Sequence, residues 1–240
     1  MISEKTIKEL AHKYQTTEIN VIREYCQHLF LSYFYQKKKS EHILFKGGTA
    51  LRVIYESPRF SEDLDFTAVN IKIPEIEEIF IDSILDIEKT GIEVELEESK
   101  ITSGGYLGIV FFRFLDFKGI IQLEVSLRNK GKVNSEINLI NSDYVPPFNV
   151  ISLSQERLAK EKVRALLERA KPRDFFDIYF ILRSHLSIKK SGLELYKISK
   201  KLEETKIDFK RELGLLLPRS HHIILKNFKD VLKRELNKYA

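Results

Sequence analysis

The sequence predicts an α+β fold: a mixed β-sheet flanked by helices and followed by a C-terminal helical bundle. Two observations carry this. Strand and helix patterns interleave as far as residue 153, and from Ser154 onward no strand-like alternation appears. The charge changes at the same place. Residues 156–240 carry 22 basic and 12 acidic side chains, a net of +10, whereas residues 1–155 carry 18 and 23. Two domains are therefore expected, 1–153 and 154–240. A chain of 240 residues, 43% hydrophobic and 31% charged, can bury a sizeable core and is not disordered.

Taken in order, the first forty residues read as helical. Thr17-Glu18 suits a helix start, and Ile19, Ile22, Cys26, Leu29, Phe30 and Tyr33 recur near helical period up to Lys37-Lys38-Lys39. That triplet suits a helix C-terminus, where cations offset the dipole. Ile43-Leu44-Phe45 is a buried strand stopped by Gly47-Gly48, with a helix over 49–56. A second strand spans 63–69. Pro74 opens a helix reaching Lys89, with Ile76, Ile79, Phe80, Ile84 and Leu85 on one side. Strands follow at 92–96, 107–115 and 120–127, the last two joined by a turn at Phe117-Lys118-Gly119. Residues 141–149, with Pro146-Pro147, cross irregularly to a short strand at 150–153. Ser154-Gln155-Glu156 starts a helix to Arg169, 173–186 is another, and two or three more reach Lys238.

Several classes of function are excluded early. No apolar run approaches the ~20 residues of a membrane helix, and the N-terminus lacks the apolar centre of a signal peptide. The single cysteine, Cys26, permits neither an internal disulfide nor a multi-cysteine metal site, and reads as a core residue. A cytoplasmic protein is expected. His221-His222 point apart on a helix without a carboxylate at ligand spacing, so they read as surface residues.

Ser61-Glu62-Asp63-Leu64-Asp65-Phe66 holds the most chemistry. On a strand, Asp63 and Asp65 share a face while Leu64 and Phe66 enter the core. Paired carboxylates without a basic neighbour suit a divalent cation, and Mg²⁺ commonly takes one or two carboxylates plus substrate phosphates. An isolated Asp-X-Asp is common by chance; what precedes this one shifts the weighting. Lys46-Gly47-Gly48-Thr49 sits between strand and helix, where glycines admit close backbone approach and the helix offers free N–H groups to an anion. It lacks the spacing of a P-loop. A phosphate cradle and a metal-binding pair are the parts that handle a nucleoside triphosphate. Glu124, outward between Leu123 and Val125, supplies a third acid if its strand lies beside that of Asp63. Tyr106, Phe111 and Phe112 offer aromatic faces to a base, though strand aromatics usually belong to the core.

These residues, from Phe45-Lys46-Gly47-Gly48-Thr49-Ala50-Leu51 through Arg59-Phe60-Ser61-Glu62-Asp63-Leu64-Asp65-Phe66, resemble the AbiEii/AbiGii nucleotidyltransferase toxins of the DNA-polymerase-β-like superfamily. A second block strengthens the resemblance: Lys160-Glu161-Lys162-Val163-Arg164-Ala165-Leu166-Leu167-Glu168-Arg169, then Arg173-Asp174-Phe175-Phe176-Asp177-Ile178-Tyr179. The likeness spans 43–182. It implies a nucleotidyltransferase-like domain over 1–153 and a helical domain over 154–240 that completes the active-site cleft. It further implies that Lys46, Gly47, Gly48, Thr49 and Arg173 bind the nucleotide, and that Asp63, Asp65 and Glu124 bind Mg²⁺ or Mn²⁺. Asp63, Asp65, Lys162, Asp174 and Asp177 would be catalytic. A toxin–antitoxin or phage-defence toxin follows, with an NTP as donor, RNA or tRNA as acceptor and a cognate antitoxin as partner.

From the residues themselves, Lys162 suits phosphate charge, but also a solvated helix face. Asp174 and Asp177 share a helix face, and Asp174 equally suits an N-terminal cap. Two other functions fit the same parts. A kinase would deliver the γ-phosphoryl group and release no pyrophosphate. A non-catalytic RNA-binding module would use the basic helices alone.

Overall fold

The computed structural model describes residues 1–128 and 133–239. Its first helices are α1 (Glu4–Lys13) and α2 (Glu18–Phe34). Their starts are fixed by hydroxyl caps: Ser3 Oγ accepts from the Thr6 N–H at 3.1 Å and Thr17 Oγ1 from the Asn20 N–H at 3.3 Å. The helix stops short of the lysine triplet. Lys37 instead pairs with Asp86, and Lys39 with Glu75 at 2.5 Å.

Then come β1 (Ile43–Lys46), α3 (Gly47–Tyr55), β2 (Leu64–Val69) and α4 (Ile73–Glu88). The strands β3 (Glu93–Thr102), β4 (Gly105–Phe114), β5 (Phe117–Arg128), β6 (Ser135–Ile140) and β7 (Phe148–Leu153) complete the sheet. Among the described residues its order is β3-β4-β5-β2-β1-β7-β6. The β2–β5 and β1–β7 pairs are parallel and the others antiparallel. The predicted mixed sheet is thus present, with three refinements. The turn between β4 and β5 falls at Leu115-Asp116, so Phe117-Lys118-Gly119 already belongs to β5. β3 extends past Leu96. The edge strand β6 is additional to the expected strands, and its Ile137 and Leu139 face solvent, 74% and 62% exposed.

The chain divides into two compact units. One comprises Met1–Glu56 and Phe60–Leu153, the other Ser57–Arg59 and Ser154–Ala240. In the sheet unit, α2 and α4 lie against the sheet and against each other. Phe34 packs on Phe66 and Phe80 with ring centroids 5.3 and 5.5 Å apart. Each such ring contributes roughly 1.5–3 kcal/mol by leaving water. Ile76, Ile79, Phe80 and Ile84 of α4 are buried as their spacing requires, but Leu85 is 46% exposed. Cys26, Tyr106 and Phe112 are core residues, and Phe111 is half-buried on the opposite face of β4.

The helical unit contains α5 (Gln155–Arg169), α6 (Pro172–Arg183), α7 (Leu195–Glu204), α8 (Phe209–Leu216), α9 (His222–Leu225) and α10 (Phe228–Asn237). Ser154 occupies the cap position of α5, but its side chain makes no capping bond. Phe176 stacks on Phe228 at 5.9 Å, and Phe209 meets Phe228 at 4.9 Å. Among the described residues no helix is long and apolar enough to cross a membrane.

Candidate active site

In the sheet unit, β1 ends in Lys46 and the chain enters α3 without a spacer. Gly47 makes this possible. Its φ is +82°, a conformation that a Cβ disfavours, and a Cβ there would lie 1.9 Å from Asp65 Oδ2 and 2.7 Å from Asp65 Cβ. The absent side chain leaves room for that carboxylate. Lys46, the N-cap residue, is extended and its side chain makes no capping bond to the start of α3. Gly48 and Thr49 are buried in the first turn. The Thr49 hydroxyl donates to the Asp63 carbonyl oxygen and so fastens the helix to the acidic segment.

Asp65 pairs across the antiparallel ladder with Lys46 and across the parallel ladder with Glu124. The three form one line over adjacent strands, each strand about 4.8 Å from the next. The conditional expectation that the Glu124 strand neighbours that of Asp65 is met. Glu124 is exposed and accepts a hydrogen bond from Gln122 Nε2, while Lys46 Nζ donates to Ser126 Oγ at 3.2 Å. Asp63 is not itself a strand residue; it stands one position before β2, half-buried. Among the described residues no three His, Cys, Asp or Glu side chains form a ready-made metal cage. Asp63, Asp65 and Glu124 are therefore not a closed three-ligand cluster. The donors that are adjacent, Asp65 and Glu124, are hard carboxylate oxygens, which fits a cation that draws its remaining ligands from phosphate and water.

In the helical unit, Asp177 is the centre. Its side chain is 1% exposed and receives Arg59 Nε at 2.8 Å, Arg59 Nη2 at 3.1 Å and Lys162 Nζ at 2.7 Å. Burial works to raise the carboxyl pKa, but the charges of Arg59 and Lys162 and their hydrogen bonds outweigh it and hold it below the usual range. Asp174 is fully buried. It accepts from the Lys171 N–H at 3.0 Å and from Arg169 Nη2 at 2.7 Å, the contacts of a helix cap. Arg173 lies 3.8 Å from Glu212. His222 Nε2 is 3.1 Å from the Leu217 carbonyl oxygen.

The family described as "Nucleotidyl transferase AbiEii toxin, Type IV TA system" matches residues 29–238. The chain belongs to this family. It is thus a nucleotidyltransferase-family toxin of a type IV toxin–antitoxin system, for which an antitoxin and a nucleotide substrate are implied. Comparison with curated proteins gives no match. Among solved structures, the nucleotidyltransferase toxin MenT4 of Mycobacterium tuberculosis H37Rv superposes with a TM-score of 0.73 at 14% identity, covering 98% of this chain and 89% of that one. JHP933 of Helicobacter pylori gives 0.65 at 20% identity, with 93% of each chain covered. Likeness at these identities shows a shared fold.

Sequence reasoning about this AbiEii member missed Arg59, Glu24, Gln27 and Arg52. Arg59 lies just before the acidic segment yet groups with the helical unit, where it grips Asp177. Nothing in its sequence neighbourhood signals that. Glu24 and Gln27 share a face of α2 with apolar residues and are buried, as Asn20 and His28 of the same helix also are.

Proposed function

We propose that this AbiEii-family toxin transfers a nucleotidyl group from an NTP to a hydroxyl of an RNA acceptor, tRNA foremost, with Mg²⁺ or Mn²⁺, in the cytoplasm. The observation that supports it best is the line Lys46–Asp65–Glu124 beside the uncapped start of α3, with Gly47 leaving space for the Asp65 carboxylate. Asp65 and Glu124, with Asp63, would hold the cation, which when bound supplies Lewis-acid stabilisation of phosphoryl oxygens. The N–H groups at the start of α3 donate to the triphosphate, and Lys46 offsets its charge. The hydroxyl oxygen bonds the α-phosphorus as the bond from that phosphorus to the β-phosphate oxygen breaks and pyrophosphate leaves, and the Asp63 or Asp65 carboxylate accepts the hydroxyl proton.

The test is incubation with each α-labelled NTP, Mg²⁺ and total RNA, followed by gel analysis. Label is expected in RNA, lost at least about 100-fold in Asp65→Asn and in Gly47→Ala. Transfer that persists undiminished in Asp65→Asn refutes the assignment. Label transferred from γ-labelled but not α-labelled NTP makes the protein a kinase instead, and Mg²⁺-independent RNA binding without transfer makes it a binding module.

A further inference from the structure

One turn of α2 spends two polar side chains where apolar ones would be expected. Glu24 and Gln27 stand three residues apart, hence on one helix face, and are only 5% and 2% exposed. Burying such groups is costly unless every polar atom is used. Glu24 is fully used. Its carboxylate accepts Arg52 Nε at 2.6 Å, Arg52 Nη2 at 3.3 Å and the Tyr144 hydroxyl at 2.7 Å. Gln27 uses both amide protons: Nε2 donates to the Ser61 carbonyl at 3.1 Å and the Glu62 carbonyl at 3.0 Å.

Both grips end at the candidate site. Arg52 lies five residues beyond Gly47 on α3, and its guanidinium also covers the Phe60 ring at 4.1 Å. α3 has nine residues, a glycine start and no capping bond from Lys46, so beyond the Thr49 bond and the burial of Ala50 and Leu51 a further directional contact is needed to fix its rotation. The Glu24–Arg52 fork does so, and a planar bidentate pair restricts rotation in a way that apolar packing does not. Gln27 acts on the other half. β2 begins only at Leu64, and Ser61, Glu62 and Asp63 precede it. Their three successive carbonyls are instead held by Gln27, Gln27 again and Thr49. A buried ion pair is weak evidence for stability, since an apolar pair of like volume often serves as well. Its position, between the cradle helix and the acidic segment, explains it better.

We propose that Glu24 and Gln27 are positioning residues of the transfer site. Glu24 sets, through Arg52, the orientation of the α3 N–H groups toward the triphosphate. Gln27 sets the backbone from which Asp63 and Asp65 project. This rests on the transfer reading given above, and it makes the two grips separable in kinetics. A disturbed cradle weakens NTP binding, whereas disturbed carboxylates slow the chemical step.

The experiment compares purified full-length Arg52→Lys, Gln27→Leu and the control Tyr35→Phe for thermal stability, KM for the NTP and kcat. Tyr35 donates to the Ile43 and Ile151 carbonyls at 2.8 and 2.9 Å and touches neither grip, so its loss reports stability alone. Arg52→Lys keeps the charge but loses the fork. It is expected to raise KM about tenfold with kcat within about twofold, and Gln27→Leu to lower kcat about tenfold with KM little changed. Glu24→Asp, which keeps the charge and shortens the reach, gives the KM signature should Arg52→Lys not fold. Tyr35→Phe lowers the melting temperature without either change. If Arg52→Lys and Gln27→Leu alter activity only in proportion to lost folded protein, as the control does, the positioning role is wrong. If wild-type protein transfers nothing, the transfer reading has failed. Calorimetric NTP binding, about tenfold weaker in Arg52→Lys but unchanged in Gln27→Leu, then still decides the cradle half.

Discussion

Glu24 in the sheet unit and Asp177 in the helical unit are both buried carboxylates gripped by an arginine fork, and they differ in what else they bind. Glu24 in the sheet unit has one cation, Arg52, and one neutral donor, the Tyr144 hydroxyl. Asp177 in the helical unit has two cations, Arg59 and Lys162. In the first, charge and hydrogen bonding balance around a single pair, as suits a fixed strut. In the second, one acid holds two buried cations close together, and everything depends on that acid. A pair of buried like charges is tolerable only while the carboxylate between them stays ionised. The same chemical device therefore serves as a rigid brace in one place and as the keeper of a lysine in the other.

The largest expected effect tests that dependence. Asp177→Asn leaves Arg59 and Lys162 without the charge they share, and should cost about 4 kcal/mol. Glu24→Gln keeps the shape and leaves a single arginine, 13% exposed, without its counter-charge, for about 2 kcal/mol. Urea denaturation of the two variants measures the difference. Equal losses, or a larger one at Glu24, would break the contrast between brace and keeper.

Acid provides the next test, because the two centres should fail in different pH windows. His28 follows Glu24 by one turn, with its ring 5.1 Å from that of Tyr144. Burial pushes its pKa from 6.5 down to about 4; Arg52 adds to this, while Glu24 and Asp143 oppose it. The unfolded chain thus binds the proton more readily than the folded one. Stability from this group is complete above pH 6.5 and falls as the pH drops toward 4, by about 3 kcal/mol in all. Asp177 behaves otherwise. Its carboxyl pKa is held below 3.8, so its contribution is present above that pH and is lost only as the pH falls further. Urea midpoints at pH 7 and 4.5 should differ strongly for wild type and much less for His28→Phe. An unchanged pH response in His28→Phe would remove His28 from the account.

How much of this was legible in the sequence depends on the range of the interaction. Short-range signals served well: Thr17 caps α2, and the paired glycines break β1 from α3. The alternation around Asp65 and Glu124 placed both on one face, and the register makes them neighbours. What remained hidden was long-range pairing. No local pattern reveals that Gln27 will hold carbonyls 34 and 35 residues away, or that Arg59 will grip Asp177 118 residues later. Thr49 shows the same limit in miniature. Its place in a glycine-rich turn suggested a hydroxyl at the first turn of a helix, but not that this hydroxyl donates to the Asp63 carbonyl. The lysine triplet after α2 was misplaced because dipole arguments carry no information about Asp86 and Glu75, its partners on α4 and at its start.

The smallest stability effect is the most informative about chemistry. Lys162 has a side chain 10% exposed and reaches Asp177 Oδ2 at 2.7 Å, but Arg59 holds both oxygens of the same carboxylate. Lys162→Met keeps the stem and removes the charge, leaving Asp177 still paired with Arg59 through its fork. The change in stability should therefore stay within about 1 kcal/mol, since no buried charge is stranded. A lysine kept only as a brace would lose nothing else. A lysine kept for its charge, as the family resemblance implies, would lose nucleotidyl transfer by at least about tenfold in protein of normal stability. Measured together, the urea midpoint and the label transfer separate the two. A large loss of stability would make Lys162 a second strut, equivalent to Arg52. Full activity in a stable Lys162→Met protein would leave the Asp177–Lys162 pair without a chemical purpose.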